Sequence, residues 1–228
     1  MSRKVKFGIL VFPGSNCERD CSHVIQNVLK QDAEYVWHEE NKVDQYDALI
    51  LPGGFSYGDY LRTGAIARFA KVMEGVQKYV EKERGLVVGI CNGFQILTEA
   101  GLLPGALQRN VSLKFICKMV ELRIESSSSP FTKGLKSKEM IRMPIAHGEG
   151  NYVCDKETLE TLQKNKQILL RYTDNPNGSL DNIAGIMNKQ KTIFGLMPHP
   201  ERASEAVLGS EDGRKIFESM IQWMIVNQ

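Results

Sequence analysis

Short apolar runs, separated by polar and glycine-rich segments, dominate the first hundred residues. Each run has the length of a buried strand, and the runs lie at residues 5–12, 33–38, 47–51 and 86–90. Longer segments between and after them have helical spacing or helix end signals, and these lie at about 16–30, 62–83 and 92–100. Strands that alternate with helices predict an open, mostly parallel sheet flanked by helices.

The pattern changes after Gly101. Strand-like segments then follow one another, at residues 113–125, 139–146, 183–188 and 192–197, and the last two are joined by a loop of hairpin length. A final amphipathic helix is expected over about 211–226. We therefore expect an α/β fold with an added antiparallel strand section, formed by one domain over residues 1–228.

Composition narrows the class of protein. The chain has 42% hydrophobic and 25% charged residues and a formal net charge of +2, which does not suggest a nucleic-acid surface. No apolar run reaches the length of about 18 residues that a membrane span needs. Five cysteines and a polar beginning that leads straight into a strand favour reduced thiols in the cytoplasm. Cys17 and Cys21 lie four apart with no second cluster at zinc-site spacing, so we expect no metal.

Cys91 lies where an apolar strand changes abruptly into a helix, within the string Gly-Ile-Cys-Asn-Gly at 89–93. This arrangement is typical of a nucleophile elbow, in which glycines allow a tight turn that exposes the nucleophile at the end of a strand. The helix N-terminus beneath the sulfur favours negative charge and would stabilise a thiolate. A buried apolar cysteine is the plain alternative, but the elbow favours a nucleophile.

A histidine and a glutamate follow much later, in Met-Pro-His-Pro-Glu at 197–201. Residues two apart on an extended segment project the same way, so Glu201 can orient His199. His199 can then accept a proton from Cys91 and return it to a leaving amine, as in a nucleophile–base–orienter triad. A histidine alone is usually structural; the elbow and the nearby glutamate together favour catalysis.

Two glycines, Gly53 and Gly54, come directly after the third predicted strand. With the amide of Asn92, the Gly54 amide would make an oxyanion hole. The plain alternative is a glycine turn. A phosphate-binding loop is excluded because the required Gly-Lys-Ser/Thr is missing.

These segments together resemble the class I, or triad, glutamine amidotransferases, and among them the glutaminase subunits that serve de novo purine synthesis. The resemblance covers essentially the whole chain and rests on the elbow, the glycine loop and the Met-Pro-His-Pro-Glu segment. It is closer over four stretches, two of which include the elbow and the glycine loop: Val-Phe-Pro-Gly-Ser-Asn-Cys at 11–17, Pro-Gly-Gly-Phe-Ser-Tyr-Gly-Asp-Tyr at 52–60, Cys-Asn-Gly-Phe-Gln-Ile-Leu at 91–97 and Ala-His-Gly-Glu-Gly at 146–150.

The resemblance implies a flavodoxin-like fold and a division of roles. Cys91 would be the nucleophile, His199 the general base and acid, and Glu201 its orienter. Residues that would bind glutamine are Gly53, Gln95, His147, Gly148 and Glu149. The reaction would hydrolyse L-glutamine through a γ-glutamyl thioester and release ammonia.

The resemblance also implies partners. A large synthetase subunit would use the ammonia, with ATP and Mg²⁺, to aminate formylglycinamide ribonucleotide, and a small third subunit would bridge the two. No cofactor is expected in this chain. We expect the partner to activate the site through the glycine loop, with Phe55, Tyr57, Asp59 and Tyr60 as candidate contacts. Two alternatives are a related cysteine hydrolase and a non-catalytic regulatory or scaffold subunit with the same fold.

Overall fold

A nine-stranded sheet forms the centre of the molecule in a computed structural model that describes residues 3–82 and 85–227. In sheet order its strands are β2 (Asp32–Trp37), β1 (Lys6–Val11), β3 (Ala48–Leu51), β4 (Leu86–Ile90), β11 (Ile193–Leu196), β10 (Ile183–Met187), β9 (Ile168–Tyr172), β6 (Ile116–Ile124) and β7 (Met140–His147). Two short strands, β5 (Ala106–Gln108) and β8 (Asn151–Val153), pair separately.

In the described residues five α-helices accompany the sheet: α1 (Glu18–His23), α2 (Lys71–Glu81), α3 (Asn92–Glu99), α4 (Lys156–Lys164) and α5 (Arg214–Asn227). A π-helical turn over Val24–Val28 continues α1. The strands β3, β4, β10 and β11 are buried at every position, which explains why they read as continuous apolar runs. No helix of the described segments is long and apolar enough to cross a membrane.

Strand directions decide where the site forms. The first five strands in sheet order, β2, β1, β3, β4 and β11, are parallel to one another. Strands β10 and β6 are antiparallel to them. Because β9 is antiparallel to β10, and β7 to β6, both β9 and β7 point the same way as β4. The carboxyl ends of seven strands (β2, β1, β3, β4, β11, β9 and β7) therefore lie at one edge, where ligands bind in open α/β sheets. The predicted fold class, a mostly parallel sheet with an antiparallel section, is confirmed.

The long helix predicted over 62–83 is wrong in its first third. The structure has turns up to Ile66, a 3₁₀ turn over Ala67–Phe69 and an extended Ala70 before α2 begins. Gly64 adopts a φ of +79°, with its Cα against the backbone of α3, and this left-handed conformation interrupts a right-handed helix. Phe69 is one of the apolar residues whose helical spacing in this segment predicted a buried helix face, and it is 74% exposed. The predicted end at Glu83 lies outside the described residues.

Candidate active site

Cys91 occupies a strained turn between β4 and α3. Its backbone has φ 50° and ψ −104°, an unfavourable combination for a residue with a side chain. The Cys91 amide donates to Leu196 O at 2.8 Å, which fixes the turn to β11. The thiol is almost buried and lies 3.7 Å from Ala146 O, at the end of β7. The predicted elbow is therefore present, with the sulfur at the carboxyl edge of the sheet.

Glycines on both sides of the cysteine let α3 approach the sheet. A Cβ atom at Gly93 would overlap Leu51 O, and one at Gly89 would stand 2.7 Å from Gly93 C. Real Cβ atoms do not come this close to backbone atoms. The elbow therefore requires glycine at these two positions because a side chain there would collide with the neighbouring backbone.

His199 and Glu201 form a buried pair. His199 Nδ1 and Glu201 Oε1 are 2.6 Å apart, and both side chains are at most 2% exposed. Since a carboxylate only accepts hydrogen bonds, Nδ1 carries the proton and Nε2 is left for proton exchange. The His199 amide donates to Pro144 O at 2.9 Å, so β7 holds the backbone of this segment.

The charges around His199 favour its protonated form. Burial alone would lower its pKa, but the Glu201 carboxylate and the adjacent Cys91 raise the pKa of His199 well above its usual value. His199 Nε2 has no hydrogen-bond partner among residues 3–82 and 85–227. The sheet thus brings together the three predicted triad residues, with a basic imidazole beside the thiol.

Cys17 also lies at this pair, which the sequence pattern does not indicate. Its Sγ is 4.0 Å from His199 Nδ1, and it accepts a hydrogen bond from Arg202 Nη2 at 3.2 Å. Ligand atoms of Cys17, His199 and Glu201 lie within 4.8 Å of one another. A cation there would have to displace the guanidinium and break the His199–Glu201 hydrogen bond, so the arrangement does not favour a metal.

The glycine loop after β3 is fastened to the turn after β1. Gly53 O accepts from the amides of Asn16 and Cys17, at 3.2 and 3.1 Å, and the Phe55 amide donates to Gly14 O at 2.9 Å. Gly54 has φ +147°, and a Cβ there would stand 2.6 Å from Ser15 Cα. The loop is therefore held in one position by backbone contacts.

Asn92 begins α3 and links the elbow to that loop. Its amide is one of the helix N-terminal N–H groups without an intrahelical acceptor. Its side chain accepts from the Ser56 amide at 3.1 Å and donates to Gln95 Oε1 at 2.9 Å. The two predicted oxyanion donors thus lie on segments joined by a hydrogen bond: Gly54 belongs to the glycine loop, and Asn92 begins the helix that accepts from that loop at Ser56.

The 147–150 segment is joined to α3 through Gln95. Gln95 Nε2 donates to Glu149 O at 2.6 Å, so its amide is used in binding Asn92 and Glu149. The Glu149 carboxylate accepts from Thr63 Oγ1 at 3.0 Å and lies 3.6 Å from Arg109 Nε. These contacts hold the backbone after β7 next to the elbow.

Asn110, a residue that sequence reasoning missed, organises the same segment. Its amide N–H donates to Gly148 O at 2.9 Å, and its Oδ1 accepts from the Gly150 amide and from His147 Nδ1, both at 3.1 Å. His147 Nδ1 is therefore the protonated nitrogen. His147 Nε2 is buried, and no described residue bonds to it. Burial, with the nearby charge of His199, lowers the pKa of His147 to about 4, so Nε2 accepts hydrogen bonds at neutral pH.

The comparisons with known proteins agree with this geometry. A family profile described as CobB/CobQ-like glutamine amidotransferase domain matches residues 4–224. Curated relatives named phosphoribosylformylglycinamidine synthase subunit PurQ include one from Alkaliphilus metalliredigens, 59% identical over 96% of this chain and 97% of that protein. Another, from Koribacter versatilis, is 56% identical over 95% and 97%.

Solved structures are similar over the full length. A chain in the structure of PurLQS from Thermotoga maritima has a TM-score of 0.90 and 46% identity, covering 97% of this chain and 100% of that one. A glutamine amidotransferase from the same organism, with a TM-score of 0.64 and 15% identity over 98% and 99% of the two chains, shows the fold alone. Since the family profile and relatives well above 30% identity span nearly the whole chain, it belongs to the class I glutamine amidotransferases.

Proposed function

We propose that this chain is the glutaminase subunit of phosphoribosylformylglycinamidine synthase, and that residues 1–228 are one glutaminase domain. The observation that carries the proposal is the buried His199–Glu201 hydrogen bond beside the elbow cysteine. The relatives named PurQ, at 56–59% identity, support the assignment to this synthase. Ammonia from glutamine would convert formylglycinamide ribonucleotide to formylglycinamidine ribonucleotide in de novo purine synthesis.

The chemistry follows from the placement of the three side chains. Cys91 Sγ attacks the γ-carboxamide carbon of glutamine, and the thiol proton passes to His199. The tetrahedral intermediate collapses when the C–N bond breaks and His199 gives its proton to the leaving ammonia. Water, activated by His199, then cleaves the γ-glutamyl thioester and releases glutamate. Glu201 keeps the imidazole oriented and stabilises its charge throughout.

Backbone amides stabilise the negative oxygen in this proposal. The N–H groups of Asn92 and Gly54 are its donors, and each such donor contributes roughly 3 kcal/mol to transition-state stabilisation. His147 Nε2 and the backbone of Gly148 and Glu149 bind the α-amino and α-carboxylate groups, and Gly53 lies beside the base. Gln95 positions the Glu149 backbone, since its amide is bonded there.

The proposed function also requires partner subunits. A large synthetase subunit binds ATP and Mg²⁺ and consumes the ammonia, and a small subunit bridges the two. The related chain from Thermotoga maritima was solved as part of PurLQS, which supports a multisubunit complex. The complex works in the cytoplasm, where thiols such as Cys91 stay reduced.

A single substitution tests the proposal. In the assembled complex, Cys91→Ser should abolish amidine formation from glutamine, by on the order of 10⁴-fold, and leave formation from free ammonia unchanged. Cys117→Ser, which changes an exposed thiol, is the matched control. Undiminished glutamine-dependent turnover in Cys91→Ser would contradict the proposal. If the wild-type chain itself shows no glutaminase activity with its synthetase, the scaffold alternative holds; hydrolysis of other amides or esters would favour a related hydrolase.

A further inference from the structure

Three contacts with the same spacing join α1, over its whole length, to the segment after β11. Each pair lies three residues further along both segments than the one before it. The pairs are Cys17 Sγ–His199 Nδ1 at 4.0 Å, Arg202 Nε–Asp20 Oδ2 at 3.1 Å and His23 Nε2–Glu205 Oε2 at 2.8 Å. The segment that carries His199 is therefore aligned along α1, and Arg202 lies at the middle contact.

The guanidinium of Arg202 is held at two edges. Its Nε donates to Asp20, and its Nη2 donates to Cys17 Sγ at 3.2 Å. The fork of an arginine loses little freedom when two of its donors are fixed in this way. These two hydrogen bonds hold the positive charge of Arg202 near the His199–Glu201 pair.

Glu201 needs such a charge. One carboxylate oxygen accepts from His199, and the other, Oε2, is buried without a partner in the described part of the chain. A buried carboxylate with an unmet oxygen is costly unless a positive charge compensates. Burial lowers the pKa of Arg202, but its interactions with Cys17, Glu201 and Asp20 raise that pKa overall, so the Arg202 guanidinium is attracted to the Glu201 carboxylate.

Cys17 suits the position because it adds no charge. Burial raises the pKa of the Cys17 thiol, so it stays protonated and donates to Asn16 Oδ1 at 3.1 Å while it accepts from Arg202. A negative group there would oppose the Glu201 carboxylate. The thiol therefore seats the guanidinium without disturbing the charge of the catalytic pair.

We infer that Arg202 is a positioning residue for the base: anchored by Cys17 and Asp20, its charge attracts the Glu201 carboxylate and holds it in the hydrogen bond to His199. The inference rests on the proposed glutaminase function and adds two residues to its machinery. Neither Cys17 nor Arg202 touches the reacting atoms; both act through Glu201 and His199.

The expected effect has a definite sign. A positive charge near the site favours every deprotonated form, so its removal raises the pH at which each proton leaves. The titratable groups that face the pair come from four segments, and they are Cys91, His147, Cys17, Cys21, Asp20 and Arg202. Of these groups, Arg202 is the one permanent cation. Its neutralisation should therefore shift the pH dependence of kcat/KM to higher pH.

The test uses the assembled complex and the pH dependence of kcat/KM for glutamine. Arg202→Met should shift the acidic limb upward by about one unit, which is roughly a tenfold loss below that limb and a much smaller loss on the plateau. Arg202→Lys should recover most of the shift because it restores the charge. Arg214→Met is the control, since Arg214 forms comparable ion pairs with Glu211 and Glu218 on α5. An unshifted profile in Arg202→Met would overturn the inference.

A second measurement tests whether Cys17 acts through Arg202 or only supports the packing of the site. Cys17→Ala should shift the profile in the same direction, but it should add nothing in the Arg202→Met background because it acts through the guanidinium. An additional shift in the double variant would overturn the role of Cys17. Should Arg202→Met fold poorly, Arg202→Gln gives the same test, because it also removes the positive charge and keeps a polar side chain beside Asp20.

A measurement that does not depend on catalytic turnover distinguishes the proposed glutaminase function from the proposed positioning role of Arg202. The rate of Cys91 alkylation by iodoacetamide, followed by peptide mass mapping, should have its pH midpoint raised in Arg202→Met and unchanged in Arg214→Met. The proposed function fails if Cys91→Ser stays active; the positioning role fails if Cys91→Ser is inactive and the Arg202→Met midpoint is that of the wild type.

Discussion

The ring of His199 lies directly against Gly53. A Cβ atom at Gly53 would stand 2.8 Å from His199 Cε1 and 3.0 Å from Cys17 Sγ, so the absence of a side chain there sets the position of the base. The first glycine of the loop thus has a steric role, which the sequence did not indicate: the glycine pattern indicated a turn, and the family resemblance implied that Gly53 binds glutamine.

Gly53→Ala should therefore push His199 away from Glu201 and Cys91. We expect glutamine-dependent turnover to fall by on the order of 10²-fold, because a shift of about 1 Å in a catalytic group has that effect. Overpacking should also cost about 1–3 kcal/mol of stability, measured by urea unfolding. Gly134→Ala, where the new Cβ would meet Ser219 Oγ at 3.1 Å, is the control and should lose stability alone. Normal turnover in Gly53→Ala would contradict the steric role.

Selective labelling tests the reactivity of the elbow thiol. A glutamine-like electrophile should modify Cys91 and spare Cys17, although both are buried and both lie beside His199. The reason is that Cys91 immediately precedes α3 and lies at its N-terminus, whereas burial raises the pKa of Cys17 and keeps it protonated. Peptide mass mapping after partial labelling measures the ratio. Equal modification of the two cysteines would show that the helix N-terminus gives no selectivity.

The lowered pKa of His147 predicts that the protein becomes less stable in mild acid. Its pKa of about 4 in the fold lies below the value of about 6.5 expected when unfolded, so the unfolded chain binds the extra proton first. Stability from this residue is complete above about pH 6.5 and decreases as the pH falls toward 4. Between about pH 7.5 and pH 5, the loss should be about 2 kcal/mol. Denaturant unfolding of His147→Gln should show a correspondingly shallower pH dependence; parallel curves for the two proteins would refute the assignment.

The candidate partner contacts in the glycine loop separate into two groups. Phe55 and Tyr60 are 48% and 88% exposed, whereas Tyr57 is half-buried and its hydroxyl bonds to His38 Nδ1 at 2.8 Å. Asp59 is also partly buried, and burial together with Glu149 raises its pKa to about 6. Of the four, Phe55 and Tyr60 are thus the side chains available to a partner.

Tyr60→Ser should accordingly weaken activation by the synthetase subunit. We expect a tenfold or greater loss of the partner-stimulated glutaminase rate, with the basal rate of the isolated chain unchanged, because exposed aromatic anchors contribute about 2 kcal/mol when buried in an interface. Tyr35→Ser on the outer strand β2 removes a 51% exposed tyrosine and serves as the control. Stimulation equal to that of the wild type would place the contact elsewhere.

The sequence predicted those parts of the molecule whose cause is local. Apolar runs predicted β1, β3, β4 and the β10–β11 hairpin because strands buried on both faces have no polar positions. The elbow and the His199–Glu201 pair were likewise predictable, since two or three neighbouring residues determine each geometry.

Contacts between distant segments could not be predicted in this way. Cys17 is paired with His199 and Arg202 only because the turn after β1 and the segment after β11 end at the same edge of the sheet. Asn110 joins His147 to Gly150 from a loop with no regular pattern. The helical spacing at 62–70 was misleading because a tertiary contact of Gly64 with α3 outweighed local preference.

The order of the strands also has a consequence for biosynthesis. Strand β11 follows the other described strands in the chain and inserts between β4 and β10, so in the proposed mechanism Cys91 gains its base only after the segment that carries β11 and His199 has left the ribosome. A nascent or truncated chain carries the nucleophile but lacks the imidazole and its carboxylate. Incomplete products would therefore be unable to consume glutamine, and this safeguard requires no inhibitor or processing step. It follows from placing the last strand of the sheet beside the strand that bears the thiol.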